Sequence, residues 1–378
     1  VLFNHLQNHN RHRNRYNRDR ESKSVPRRYF MPNRMLNRIL QITSWLIVLG
    51  ISLSACQFSI NTETTEPETT QTPTATVSPT PAPLGSSANP YIIGFDASLD
   101  PQGANSAARQ NIAADIAAAS GFSVVEKDYS TSQDLYQAFV DGDVHLAWFN
   151  PLTYIYLHEQ NKGEVGLLTN HFGVYFYGVQ FLANAESGFV SYFDAASNSA
   201  SASAADALMQ LDGKRPCWVD LGSSSGYILP AGILEENQIY PLPGAILQSH
   251  TAVVRALYIK GICDFGVTFS TSGDPRTSSA VTNDLPDASG RVMVIWQSPA
   301  EIPNMNLTYS TALPEETRQQ FNDAFLAWIK SANAKTTLSA ALDQYEVQDL
   351  RVVDDSIYDA LRNAIDLSGT DVSQWIGR

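Results

Sequence analysis

Asp220-Leu221-Gly222-Ser223-Ser224-Ser225-Gly226-Tyr227 lies between the apolar run at 216–219 and a helix-like run at 227–237. A strand, a hydroxyl-rich turn flanked by glycines, and a helix is the order these residues spell. Three consecutive hydroxyls at a helix start gather O–H donors around unpaired backbone N–H groups, at the positive end of the helix dipole. Such a point attracts anions. No Lys or Arg falls within the eight residues, so an anion there is held by hydroxyls and dipoles. An unliganded, capped Ser-rich turn is the plainer reading of the same residues. Gly222 to Gly226 also matches the G-x-S-x-G nucleophile elbow, which makes a serine hydrolase using Ser224 an alternative. His250 is the only His after Ser224, and only Glu235 and Glu236 lie between them as carboxylates. That interval is too short for the usual triad order, so no enzyme is expected.

Outward from this turn the chain alternates. Toward the N-terminus, strands are expected at 91–95, 122–127, 144–149, 165–170 and 174–183. Between them fall helices at 104–119, closed by Gly121, and from a cap at Thr131 through Val140; Pro151 opens another. Toward the C-terminus, strands at 245–248, 262–269 and 292–296 alternate with a helix at 251–260. Two helical runs follow, at 315–331 and 356–365. Such alternation argues for an α/β fold of mostly parallel sheets flanked by helices. A Ser/Ala-rich interval at 191–205 divides it into two lobes with the ligand cleft between them. The expected division is lobe 1 at 91–187, lobe 2 at 188–299, and a completion of lobe 1 with C-terminal helices at 300–378.

The chain has 378 residues and a net charge of −13, and that charge is unevenly spread. Residues 1–55 carry +8 and the remainder −21. An acidic body is a poor surface for nucleic acid, and no nucleic-acid partner is expected. Residues 1–30 have no apolar periodicity and precede Met31 and Met35, so they read as sequence upstream of the protein's start. The apolar run at 39–53, after Arg34 and Arg38, reads as a secretory signal too short for a membrane span. It ends in Leu53-Ser54-Ala55-Cys56, which resembles the bacterial lipobox; lipidation of Cys56 would make it the mature N-terminus. Residues 56–90 are rich in Thr, Pro, Ser and Ala and read as a disordered tether. Cys217 and Cys263 remain as an even pair in an oxidising setting and are expected to form a disulfide. No further Cys or His stands at zinc-ligand spacing, so no metal site is expected.

Four segments in order carry a resemblance to the phosphate/phosphite/phosphonate-binding proteins of ABC importers. Residues 144–154 (VHLAWFNPLTY) are similar to that family's D-x-A-W-x-G-P-x-x-Y, and Asp220 to Tyr227 resembles its D-P-x-S-T-S-G-Y anion loop. Residues 248–254 (QSHTAVV) are similar to its G-S-H-x-x-x-V, and 261–266 (GICDFG) to its G-x-x-D-x-G. The resemblance covers the chain from about Tyr91 onward and implies a two-lobed type II periplasmic-binding-protein fold without a cofactor. It implies ligand contacts from Ser223, Ser224, Ser225, the Gly226 backbone and His250. Tyr129 and Tyr177 stand where the family contributes tyrosines from the facing lobe, with Tyr154 and Asp264 as further contacts. The implied protein is an extracytoplasmic, lipid-anchored, monomeric receptor that closes on a phosphorus oxyanion and delivers it to a membrane permease. A sensor domain for a small anion is the alternative on the same fold. Leu221 replaces a Pro, Ser224 a Thr and Asn150 a Gly. Asn304 follows Ile302-Pro303 where the family often has an acid for an ammonium, which argues against a strictly amino-phosphonate ligand. If Asp264 lined the site, it would select against sulfonates, which lack an ionisable P–OH.

Overall fold

The computed structural model describes residues 82–377; the basic extension, the run at 39–53, Cys56 and the stretch to 81 lie outside the described residues. Among the described residues no helix is long and apolar enough to cross a membrane. The end of the expected tether is folded. Gly85, at φ +85°, turns the chain so that its N–H donates to the Asn89 carbonyl (2.7 Å) and its carbonyl accepts from Ser123 (2.8 Å). Glycine takes that backbone region at little cost.

The first lobe begins with strand β1 (Tyr91–Asp96), helix α1 (Ser106–Ser120) and β2 (Val124–Tyr129). Helix α2 (Ser132–Asp141), β3 (Leu146–Phe149), α3 (Pro151–Glu159) and β4 (Gly163–Asn170) follow. The caps read from sequence form as expected: the Thr131 hydroxyl accepts from Asp134 N–H, and Gly142 closes α2 at φ +86°. The chain then enters the second lobe through β5 (Phe176–Asn184), the short β6 (Phe193–Asp194) and β7 (Ser199–Ala200), and β8 (Pro216–Trp218). Helix α4 (Leu229–Glu236), β9 (Ala245–Ile246), α5 (His250–Ile259), β10 (Phe265–Ser270), β11 (Val292–Gln297) and β12 (Ile302–Pro303) complete its chain path. It returns through β13 (Asn306–Ser310), α6 (Glu315–Trp328), α7 (Ala334–Ala341) and β14 (Asp349–Val352), and ends with α8 (Asp359–Ser368).

The strands form two main sheets, ordered β14-β4-β13-β3-β1-β2 and β11-β5-β10-β8-β9. Helices cover them, but neither sheet is mostly parallel. β1 runs parallel to β2 and β3, and β8 parallel to β9 and β10. β13 is antiparallel to both neighbours, and so is β5. The reason is connectivity: strands joined through helices run parallel, whereas those arriving from the other lobe enter in the opposite direction. The lobe boundary also differs from the expected 187/188. β5 belongs to the second sheet, so the crossing falls at 171–175, where Phe172 and Gly173 take φ of +48° and +89°. The last helix, α8, packs against α4 of the second lobe, its Leu361 and Ala364 in the same core as Ile233 and Leu234.

Burial on both faces explains why the strands read as near-continuous apolar runs. In β3, Leu146 and Trp148 face one core beneath α1 and α6, while Ala147 and Phe149 face another with α2 and α3. In the second sheet Leu182 and Val294 meet α5, while Phe181 and Val267 meet α4 and α8. Cys217 and Cys263 are disulfide-bonded with Cα atoms 5.6 Å apart, fastening β8 to the segment that leads into β10.

The two crossing segments bind each other. Asn304 N–H donates to the Tyr175 carbonyl (3.1 Å), and its side-chain amide to the Val174 carbonyl (2.8 Å). Thr169 N–H donates to the Met305 carbonyl (3.0 Å). His171, Phe172, Pro303, Asn304 and Met305 of this double connection line the cavity between the lobes.

Candidate anion site

The serine turn is more loosely wound than a capped α-helix. Residues Ser224–Ile228 form one π-helical turn that leads directly into α4, a distortion frequent at functional positions. Ser223 is its N-cap, accepting from Gly226 N–H at 3.0 Å. Tyr227 and Ile228 N–H groups both return to the Ser223 carbonyl (3.0 Å each). Ser224 and Ser225 occupy the first positions, whose amides have no intrahelical acceptor. Gly226 is fixed by packing: a Cβ there would stand 2.4 Å from Val219 Cβ. Its amide, expected to help hold an anion, is instead engaged by Ser223, so these two residues build the turn that presents Ser224 and Ser225.

Two chambers of about 580 and 450 Å3 open beside this turn, and a third of about 480 Å3 adjoins the larger one. Asn150 lines all three. The largest is bounded by Tyr177, Ser225 and His250 from the second lobe and by Asn150, Pro151 and Tyr345 from the first. The smallest is bounded by Ser224, Asp220, Gly222 and Tyr177 against Asn150 and Pro151. Trp375 closes it, its indole lying over Gly222, where a Cβ would meet the ring at 2.6 Å. No Lys or Arg lines any of the three among the described residues.

Three helix starts therefore converge here. Asn150 caps α3, accepting from Thr153 N–H at 3.0 Å, with Pro151 at the first position. Ser249 caps α5, accepting from Ala252 N–H at 3.1 Å, and puts His250 at its first position. The serine turn is the third. The His250 ring packs edge-on to Phe269 (4.8 Å between centroids), and its buried Nδ1 has no partner. Burial pushes its pKa down to about 4, so the imidazole is neutral at physiological pH. Tyr177 is half-buried and is raised above the usual tyrosine range by burial, an effect offset in part by a hydrogen bond with Ser225.

The structure thus places Ser225, His250 and Tyr177 on one chamber and Ser224 on the adjoining one, which Tyr177 also lines, and leaves three expected contacts elsewhere. Tyr154 is fully buried; its hydroxyl donates to Asp355 (2.8 Å) and its ring packs on Tyr358 (4.3 Å). It is a core residue. Asp264 is exposed, accepts from Arg215 N–H (2.8 Å) and lines a different surface pocket, so it cannot discriminate ligands in this crevice. Tyr129 ends β2 with a buried, unpartnered hydroxyl and lines none of the three chambers. No hydrogen bond joins Ser224 to His250, which lie on different chambers, so the pair lacks the contact a Ser–His nucleophile requires. Sequence reasoning passed over Asn150, Tyr345 and Trp375 as site residues. The Asn-Pro pair before a helix was the available signal for the first; nothing local marks the other two.

The family model described as "ABC transporter, phosphonate, periplasmic substrate-binding protein" matches residues 97–358. Among solved structures, XAC2383 from Xanthomonas citri, bound to ATP, is 14% identical, with a TM-score of 0.53 over 76% of this chain and 97% of that one. A binding protein component of an ABC phosphonate transporter from Pseudomonas aeruginosa is 18% identical, with a TM-score of 0.46 over 74% and 87%. PhnD1 from Prochlorococcus marinus, in complex with methylphosphonate, is 14% identical, with a TM-score of 0.48 over 73% and 97%. No curated protein matches the chain.

Proposed function

This chain belongs to the periplasmic substrate-binding proteins of phosphonate ABC transporters, and from that we propose that it captures a tetrahedral phosphorus oxyanion at Ser224, Ser225 and His250. Phosphate, phosphite and phosphonates share the required head group. The convergence of three helix starts on one crevice without a basic side chain carries this reading. Hydrogen bonds to an ionised oxyanion are individually strong, so many donors can offset its desolvation without a fixed counter-cation.

Donors on the two lobes reach one ligand together only when the crevice narrows. Binding then favours the closed form by the difference in affinity between the two states. The paired crossings at 171–175 and 303–305 are where such a hinge would bend. A lipid on Cys56 would keep the receptor beside its permease in the membrane.

Calorimetry with phosphate, phosphite and methylphosphonate tests the assignment. Ser225→Ala should weaken the best ligand by about 1.5–3 kcal/mol, roughly 10- to 150-fold. An unchanged affinity would remove the serine turn from the site, and absence of binding by all three would remove the ligand class.

A further inference from the structure

The chamber of about 480 Å3 belongs almost wholly to the first lobe and joins the largest chamber along His171, Phe172, Met305 and Tyr345, which line both. A phosphate ion needs only a small part of such a space; cavities of roughly 300–1,000 Å3 suit ligands of drug size. Phe95, Leu135, Trp148, Phe149 and Leu342 form the apolar part of its wall, and Asp96, Ser132, Asn150 and Thr153 the polar part. Leu99 and Phe172, at its edge, are 82% and 54% exposed, among the most exposed large apolar side chains described.

The remaining wall is built at a cost. Asp343 and Gln344 take consecutive φ values of +52° and +68°, a conformation that non-glycine residues hold only when their surroundings enforce it. Arg109 enforces it. Fully buried, it donates to the Ala341 carbonyl (3.1 Å) and Asp343 (2.9 Å), and it pairs with Asp100 and Asp128. One guanidinium there faces three carboxylates, and Asp96 adds a fourth at the chamber's edge. This side of the chamber is therefore locally negative, with Asp96 and Asp343 in its lining and Asp100 and Asp128 behind them around Arg109.

We propose that this chamber receives the organic substituent of the phosphonate, and that it selects substituents that are apolar and carry no second negative charge. The inference rests on the oxyanion reading above and extends it to the far end of the ligand. A head group held at Ser225 and His250 can send its substituent past Asn150 and Phe172 into the first lobe. There a hydrocarbon covers the exposed Leu99 and Phe172, whereas a second anion meets the carboxylate surplus.

Calorimetry on the whole chain with methylphosphonate, phenylphosphonate and 3-phosphonopropionate tests this. Phenylphosphonate should bind about tenfold tighter than methylphosphonate, and 3-phosphonopropionate about tenfold weaker. Ser98 is exposed at the chamber's edge; Ser98→Trp should fill the space and bring the phenyl-to-methyl affinity ratio close to one. If methylphosphonate binds and the ring brings no gain, or Ser98→Trp leaves the ratio unchanged, the chamber assignment is overturned while the oxyanion site stands. If none of the three binds, the chamber assignment falls, and the oxyanion reading falls with it only if phosphate and phosphite also fail to bind.

Discussion

His250 gives a direct measure of how the crevice treats charge. Its imidazole opens α5 against Phe269, and burial moves its pKa from 6.5 in the unfolded chain to about 4. A histidine depressed in this way is favoured neutral in the folded state. Its contribution to stability is complete above pH 6.5 and is lost as pH falls from 6.5 toward 4, because the unfolded chain takes up the proton first. Near pH 4.5 the loss is roughly 2–2.5 kcal/mol. Urea unfolding near pH 7 and near pH 4.5, on the native chain and on His250→Gln, isolates it. His145, also lowered by burial, and the carboxylates titrate in both proteins and cancel in the comparison. The native chain should lose roughly 2–2.5 kcal/mol more than the variant over this interval. Equal losses would show that the imidazole charges freely and that the crevice is wetter than its geometry implies. Saturating methylphosphonate should shrink the difference, since an anion beside the ring favours the protonated form.

Two further outcomes test the frame. Removing the disulfide by Cys217→Ala with Cys263→Ala frees a loop with a sequence separation of 46, for which chain entropy sets a ceiling of about 4 kcal/mol; urea unfolding should show a loss of about 2–4 kcal/mol, and a loss below about 1 kcal/mol would mean the unfolded chain is little constrained by it. Arg109→Leu leaves Asp100, Asp128 and Asp343 facing one another; thermal melting should fall by about 10 °C, consistent with about 3–5 kcal/mol for a broken buried pair, and a melting temperature within about 2 °C of the native chain would refute the account.

The elements legible in the sequence are those whose local pattern matches their surroundings. Strands β1, β3 and β10 are buried on both faces and so read as apolar runs, and α2 carries its own cap and stop signals. β13 escaped because it buries polar side chains, some paired inside the protein and one, the Asn306 amide nitrogen, without a partner. Thr308 Oγ1 donates to Asn306 Oδ1 (2.6 Å) and Tyr309 Oη to Asn322 Oδ1 (2.8 Å), so a fully buried strand looks like a polar connection. β5 was legible as a strand, but its sheet was not: side-chain pattern says what a strand buries, not which neighbour it pairs with. The informative feature lies just before it, in the tight His171-Phe172-Gly173-Val174 turn. At the candidate site, the helix starts that carry Ser224, Ser225 and His250 are legible because helix starts are local. Tyr154 misled because its fate is decided by Asp355, 201 residues away, a contact no short window contains.

If the crevice captures an oxyanion as proposed, the absence of Lys and Arg from its lining among the described residues bears on release as much as on capture. Residues 56–378 carry −21, so at a distance the body repels an oxyanion, and at physiological salt that repulsion is screened beyond about 8 Å. Attraction therefore begins only inside the crevice. Each helix start presents about half a positive charge, and three together come to about 1.5, close to the charge of a phosphonate dianion. A basic side chain would add attraction that reaches far and persists whether the lobes are open or shut. Dipoles and hydroxyls act over a few ångströms and depend on direction, so their hold fails as soon as one lobe turns away and water reaches the freed N–H groups. On the proposed reading affinity would thereby be tied to closure, a coupling suited to a receptor that hands its ligand to a membrane permease.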